Sequence, residues 1–372
     1  LSFGGHDPSG YLYDNSYIYG GFDWLGNGWA DQGDWRMYFV DVPDDTGLPA
    51  GTRWLVDTQW QSDRTDIDAF VFGPTPDQLS ALYPSIFGPY TLRILGGSQN
   101  TLYTRGGIFG WGGRAYAWQT NTGGAEEIVT APLRPGLNAI ELQNVLYGGI
   151  APRERFTGTV GTVSVTPYPL KVTVFETAGS VEITFTSSIA LAGLGYGGSF
   201  GLGKPTVYEN VPIGQDEQKF FRFSVQNSAL LDLTLSTKDT ATTKDLDLYL
   251  YRAIAGRWVQ ITYSAGATAD EYIKIVRPPD GLYLALVYGY TVLGTGSFDL
   301  TIRSIEGTDL TVTGLPTGAI APNTPYRFQL NYTKPLASGT YYGLILLGTD
   351  KAPAVLEVPV EITFATLKTR LP

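Results

Sequence analysis

The chain has 372 residues, with 46 Gly, 23 Pro, 24 Tyr and 17 Phe, no Cys, one His, one Met and a formal charge of −10. It is too long for one ordinary β-sandwich and suits two or three domains, and turn-formers mixed with β-preferring aromatics point to an all-β class. Without Cys there are no disulfides, thiolate metal sites or cysteine nucleophiles, and the acidic balance opposes phosphate backbones, so no nucleic-acid partner is expected.

No run of about 18 apolar residues occurs, so no membrane span is expected. The chain starts at Leu1, which leaves a removed signal or pro-segment and a cut from a longer polypeptide equally open. Scarcity of oxidisable side chains suits a secreted or cell-surface protein of thermophile bias.

Near the start, His6 sits beside Asp7 and Pro8 close to a terminus and reads as solvated rather than as a base. Trp24, Trp29 and Trp35, with Trp111 further on, lie among glycines. They are the best candidates for stacking on glycans, against core packing as the default for aromatics. Asp45-Thr46-Gly47 resembles one aspartic-protease loop, but that chemistry needs a second, so a polar turn is expected.

Thr65-Asp66-Ile67-Asp68-Ala69-Phe70-Val71-Phe72 opens an alternating strand with two acids, and Lys244-Asp245-Leu246-Asp247-Leu248-Tyr249-Leu250-Tyr251 repeats the pattern. Leu55-Val56-Asp57 aligns with Leu230-Leu231-Asp232, and Glu126, Ile128, Gly136 and Leu137 align at one offset with Glu271, Ile273, Gly281 and Leu282. The first copy carries a long insertion within 73–119. The expected organisation is a jelly-roll-like β-sandwich over 1–167, then a strand pair and Gly-rich bridge over 168–204. A second sandwich follows over 205–304. A small Ig-like or fibronectin-like sandwich takes 305–372, with 168–190 as candidate completing strands.

Gly197-Gly198-Ser199-Phe200-Gly201 fits the nucleophile-elbow pattern, but no helix pattern follows and the only His is far upstream, so no catalytic residue is expected. Glu126, Glu127 and Asp66 have the residue types of a glycosidase pair, although duplication of the acids favours a structural site. Asp66, Asp68 and Glu126, and likewise Asp245, Asp247 and Glu271, are candidate calcium ligands, since calcium takes six to eight oxygens. Residues i and i+2 stand about 6.7 Å apart on a strand face, so both reach one ion only where the strand starts or bends. The alternative is a solvated acidic strand end or hydrogen bonding to loop amides. Asn331-Tyr332-Thr333, the only N-x-[ST] sequon, is expected to be exposed and open to glycosylation.

Asp245–Leu250, Asp270-Glu271 and Pro279-Asp280-Gly281-Leu282-Tyr283-Leu284-Ala285-Leu286, with the entering Glu217–Val225, resemble a pre-peptidase C-terminal domain over 205–304. Asp66–Phe72, Phe87-Gly88-Pro89-Tyr90 and Thr122-Gly123-Gly124 are similar to the extension of pyrolysin-like subtilases of the S8 type. The resemblance implies jelly-roll modules placed after a secreted catalytic domain, which would be the partner within one polypeptide. Their implied roles are stability, surface attachment or substrate capture. Family calcium sites would map only onto the duplicated acids. The catalytic Asp, His and Ser blocks of subtilases are absent from this chain, so a non-catalytic accessory region is expected. A structural subunit of a surface layer or filament, with neighbouring copies as partners, is the alternative, and a glycan-binding module the third.

Overall fold

The computed structural model describes residues 11–19, 35–43, 47–62, 66–75, 91–97, 125–133, 135–146, 153–266, 268–333 and 338–365, and some side chains within the first strands lie outside that description. His6, Trp24, Trp29, Trp111 and most of the 73–119 insertion are outside the described residues. Among the described residues no helix is long and apolar enough to cross a membrane.

The first sandwich is built from β1 (Tyr11–Tyr19), β2 (Trp35–Val42), β3 (Arg53–Trp60), β4 (Asp66–Thr75), β5 (Thr91–Gly97), β6 (Glu126–Pro132), β7 (Gly136–Leu146) and β8 (Arg153–Thr166). Next come β9 (Leu170–Val174), β10 (Ala178–Ser187) and β11 (Leu194–Gly203). The second sandwich holds β12 (Thr206–Gly214), β13 (Gln218–Val225), β14 (Leu230–Ser236), β15 (Thr243–Ile254), β16 (Arg257–Ser264), β17 (Glu271–Val276), β18 (Gly281–Val292) and β19 (Thr295–Ile305). Last are β20 (Leu310–Thr313), β21 (Tyr326–Thr333), β22 (Gly339–Thr349) and β23 (Leu356–Phe364).

Both copies are jelly rolls of the same topology. The first pairs β1 and β3 on β8, with β6 on β3, over a sheet β2-β7-β4-β5; the second has β12-β19-β14-β17 over β13-β18-β15-β16. Counted within each copy, both run first-eighth-third-sixth over second-seventh-fourth-fifth. Phe156 and Phe298, both on the eighth strand, fill the two cores.

Register is shared as well. Asp66 lies opposite Leu146 and Ile67 opposite Asn144, with an irregularity between them, as Asp245 lies opposite Thr291 and Leu246 opposite Gly289. Trp54, opposite Ala131 and Thr162, holds the place of Leu231, opposite Ile275 and Ser304. Leu55 therefore corresponds to Asp232, which corrects by two residues the pairing of Leu55 with Leu230.

A third sandwich joins the sheet β11-β22-β23-β9 to the strands β20-β21-β10, and these continue through β8 into the first jelly roll as one seven-stranded sheet. The C-terminal end of β8 pairs with β10 at Val163–Thr166, while the rest of it carries β1 and β3. That sheet is apolar on both faces where it crosses. Trp54, Val56 and Val129 pack into the first core, and Leu55 and Ile128 into the third. A strand buried on both sides reads as a continuous apolar run rather than an alternation. The run Leu344–Leu347 of β22 is another case, its members dividing between the third core and a cluster with Leu230 and Ile305 of the second sandwich.

The Gly-rich stretch expected as a bridge is the strand β11. It lies against β22 because its glycines let two backbones approach: a Cβ on Gly195 would stand 1.9 Å from the carbonyl oxygen of Thr349, and one on Gly201 2.7 Å from Gly343 Cα. The chain leaves for the second sandwich and returns from it at neighbouring points. Gly201 N donates to Gly307 O at 3.2 Å, and Asp309 N donates to Gly201 O at 2.7 Å.

Candidate functional site

The acidic start of β15 is where the sequence concentrates candidate chemistry, and the fold places a bulge there. Register shifts on both sides of Asp245 against β18 interrupt the strict alternation, while Leu246, Leu248 and Leu250 still point into the core. Asp247 and Tyr249 share the outer face. Asp247 is buried, and its Oδ2 accepts the Tyr249 hydroxyl at 2.9 Å. Desolvation, followed by that bond, pushes the Tyr249 phenol up to about 12.

Asp245 Oδ1 is buried with no hydrogen-bond partner. Desolvation, then the negative charges of Asp247 and Glu271, push its carboxyl up from the ordinary value. Glu271, also buried, is held differently. It accepts from the Ser264 hydroxyl and from Gly266 N at 2.5 Å, which ties the β16–β17 loop back onto β17. One donor is the hydroxyl at the end of β16 and the other a loop amide. Among the described residues no group of three or more His, Cys, Asp or Glu side chains is arranged to hold a metal ion.

In the first copy, the side chains of Asp66 and Asp68 lie outside the described residues, and only backbone register relates them to Asp245 and Asp247. Glu126 is a correction. Thr58 lies opposite Glu127 as Leu235 lies opposite Glu271, so Glu127 holds the place of Glu271. Glu126 falls on the opposite face and binds Lys351, its two oxygens 2.9 and 3.0 Å from Nζ. The physical reason is the Glu126-Glu127 doublet, because a slip of one residue moves a side chain to the other face of the sheet.

Ser199 lies in β11 with its hydroxyl 2.7 Å from the Leu310 carbonyl and 2.7 Å from the Tyr196 hydroxyl, in a strand rather than a strand-to-helix turn. Asn331 is partly exposed on β21, its Nδ2 donating to Thr313 Oγ1 at 3.0 Å. Trp35 opens β2 opposite Gln143, its side chain outside the description.

Little in the sequence points to the outer face of the β13-β18-β15-β16 sheet. Tyr249 and Tyr263 stack there with centroids 6.0 Å apart, Arg222 lies over Trp258 at 5.9 Å, and Phe220, Leu282 and Tyr290 are exposed. The available signal was aromatic residues on the polar phase of β15 and β18.

No family model matches the chain, and no curated protein matches it in sequence. Among solved structures, similarity extends to the pre-peptidase C-terminal domain of collagenase from Bacillus anthracis. It has 16% identity, covers 27% of this chain and 90% of that one, and gives a TM-score of 0.22. Tripeptidyl peptidase 2 gives a TM-score of 0.33 at 9% identity, with 95% of this chain covered but only 30% of that one. A mitogen from Yersinia pseudotuberculosis gives 0.24 at 13% identity, covering 29% of this chain and 91% of that one.

Proposed function

We propose that the chain is a non-catalytic extracellular accessory region of a secreted subtilisin-like serine protease, serving stability, surface attachment or substrate capture. The observation that carries it is residue-level. The segment 205–304, whose acidic strand and Pro279-Asp280-Gly281 turn resemble a pre-peptidase C-terminal domain, forms one closed jelly roll with its own core. Its outer β14–β17–β19 face is locked against the third sandwich, an arrangement that suits a stiff appendage.

A fluorophosphonate probe applied to native culture fluid tests this. A labelled polypeptide that also reacts with an antibody raised against this chain is the expected result, with the isolated chain unlabelled and inert on casein. Labelling of the isolated chain, or native material containing this chain and no labelled polypeptide, overturns it. The second outcome would favour the structural-subunit reading, which draws on the exposed aromatic face of the β13-β18-β15-β16 sheet.

Calcium at the start of β15 belongs to the same proposal, with Asp245 and Asp247 as ligands and Glu271 withheld by Ser264 and Gly266. An ion that binds only the folded state adds RT ln(1+[L]/Kd), about 2.7 kcal/mol at a hundredfold excess over Kd. The unfolding midpoint is expected to rise with calcium relative to EDTA, and Asp245→Asn to remove the difference. The same midpoint with and without EDTA in the unaltered chain discards calcium.

A further inference from the structure

Lys351, in the turn between β22 and β23, reaches over the join between the first and third sandwiches to Glu126 of β6. The Glu126 side chain there is 12% exposed. Glu126 Oε1 also accepts from Gln59 Nε2 at 3.2 Å, and that nitrogen lies 3.5 Å from Asp57 Oδ2 on the same face of β3. Asp57 Oδ1 is buried with no hydrogen-bond partner. Among the described residues, the charged groups facing Asp57 are Glu126 from β6 and Lys351 from the turn, with Asp350 next to Lys351, while β8 places the uncharged Thr159 opposite it. Two carboxylates among the described residues therefore lie on one ammonium, with the carboxyl oxygens shielded and the Lys351 side chain half exposed. A buried carboxylate oxygen beside a second carboxylate is satisfied only when one of them carries a proton.

The turn itself is fastened to the same face. Thr130 Oγ1 donates to the Val355 carbonyl, and Ala352 and Val355 join the core that contains Leu55 and Ile128. We propose that Asp57, Glu126 and Lys351 form a proton-dependent clamp that holds the 349–355 turn of the third sandwich on the first at acidic pH and loosens it as pH rises. This stands independently of the protease reading.

Burial, followed by the charge of Glu126 and a hydrogen bond with it, pushes the Asp57 carboxyl from 3.8 up to about 7, and Lys351 and Gln59 pull it down less. A carboxyl whose folded pKa is raised binds its proton more tightly closed than open. The stabilisation is complete below about 4, declines as pH rises, and is gone above about 7.

Hydrogen exchange of peptides covering 125–132 and 349–355, corrected for intrinsic rates, tests the clamp on the whole chain. Between pH 5 and 8 the opening constant is expected to rise by up to about a hundredfold, and in Asp57→Asn to stay flat. Carboxyl-carbon NMR titration of Asp57 in the unaltered protein gives an independent reading should the variant fail to fold. Flat exchange in the unaltered protein, retained pH dependence in Asp57→Asn, or an Asp57 titration near 4 would each overturn the clamp.

Discussion

Lys274→Ala is expected to destabilise the protein by ~3–5 kcal/mol, measured by urea unfolding, because it strands a buried carboxylate. Lys274 of β17 pairs with Glu357 of β23 where the second sandwich meets the third, the two side chains 10% and 15% exposed. Glu357 Oε1 is already buried without a hydrogen-bond partner, so loss of the ammonium leaves its charge with little compensation. Next to it, Arg303 Nε donates to Asp232 at 2.7 Å and the guanidinium lies over the Tyr342 ring at 5.4 Å. Burial pushes the Asp232 carboxyl up while Arg303 draws it down, so the guanidinium is already engaged by Asp232. Replacing both partners, Lys274→Met with Glu357→Met, is expected to restore stability to within about 1 kcal/mol, since a well-packed apolar pair avoids the desolvation cost. A double variant as unstable as the single one would mean that packing, not charge, holds this interface.

Gly195→Ala is expected to cost at least about 3 kcal/mol or to prevent folding, because the added methyl meets backbone rather than a movable side chain. Its Cβ would lie 1.9 Å from Thr349 O and 2.6 Å from Pro353 Cα. Those atoms belong to the turn that carries Lys351, so β11 would have to leave β22 to accommodate it. Gly214→Ala serves as the control, its nearest neighbours being Glu217 Oε2 at 3.7 Å and Gly294 O at 3.9 Å. Thermal unfolding of the two variants should separate them widely. Equal midpoints would mean that β11 is not pressed against the turn.

The sequence made the all-β class and the repeated acidic strand legible, because Leu246, Leu248 and Leu250 alternate cleanly with outward side chains, and Ile67, Ala69 and Val71 enter the first core at the same spacing. It failed where that alternation disappears. β3 is buried on both faces, so the unbroken apolar run Trp54-Leu55-Val56 offers no landmark along the strand, and matching Leu55-Val56-Asp57 to Leu230-Leu231-Asp232 placed it two residues out. The Glu126-Glu127 doublet hid a slip of one residue, with the larger consequence that Glu126 belongs to the join and Glu127 to the core side. β11 was unreadable for a third reason. Glycine is a poor strand former by propensity, and its use here depends on a neighbour more than a hundred residues away, which no local pattern reports.

The adjacency of Gly201 with Gly307 and Asp309 bears on how such a chain can arise. Two cuts at neighbouring points free the whole second jelly roll, and the ends left behind already touch. In evolutionary terms that copy is a cassette, able to be gained or lost in one recombination event without rethreading the remainder. The first copy lacks this freedom. Its eighth strand continues into the sheet of the third sandwich, so ancestry by duplication has left one member removable and the other woven in.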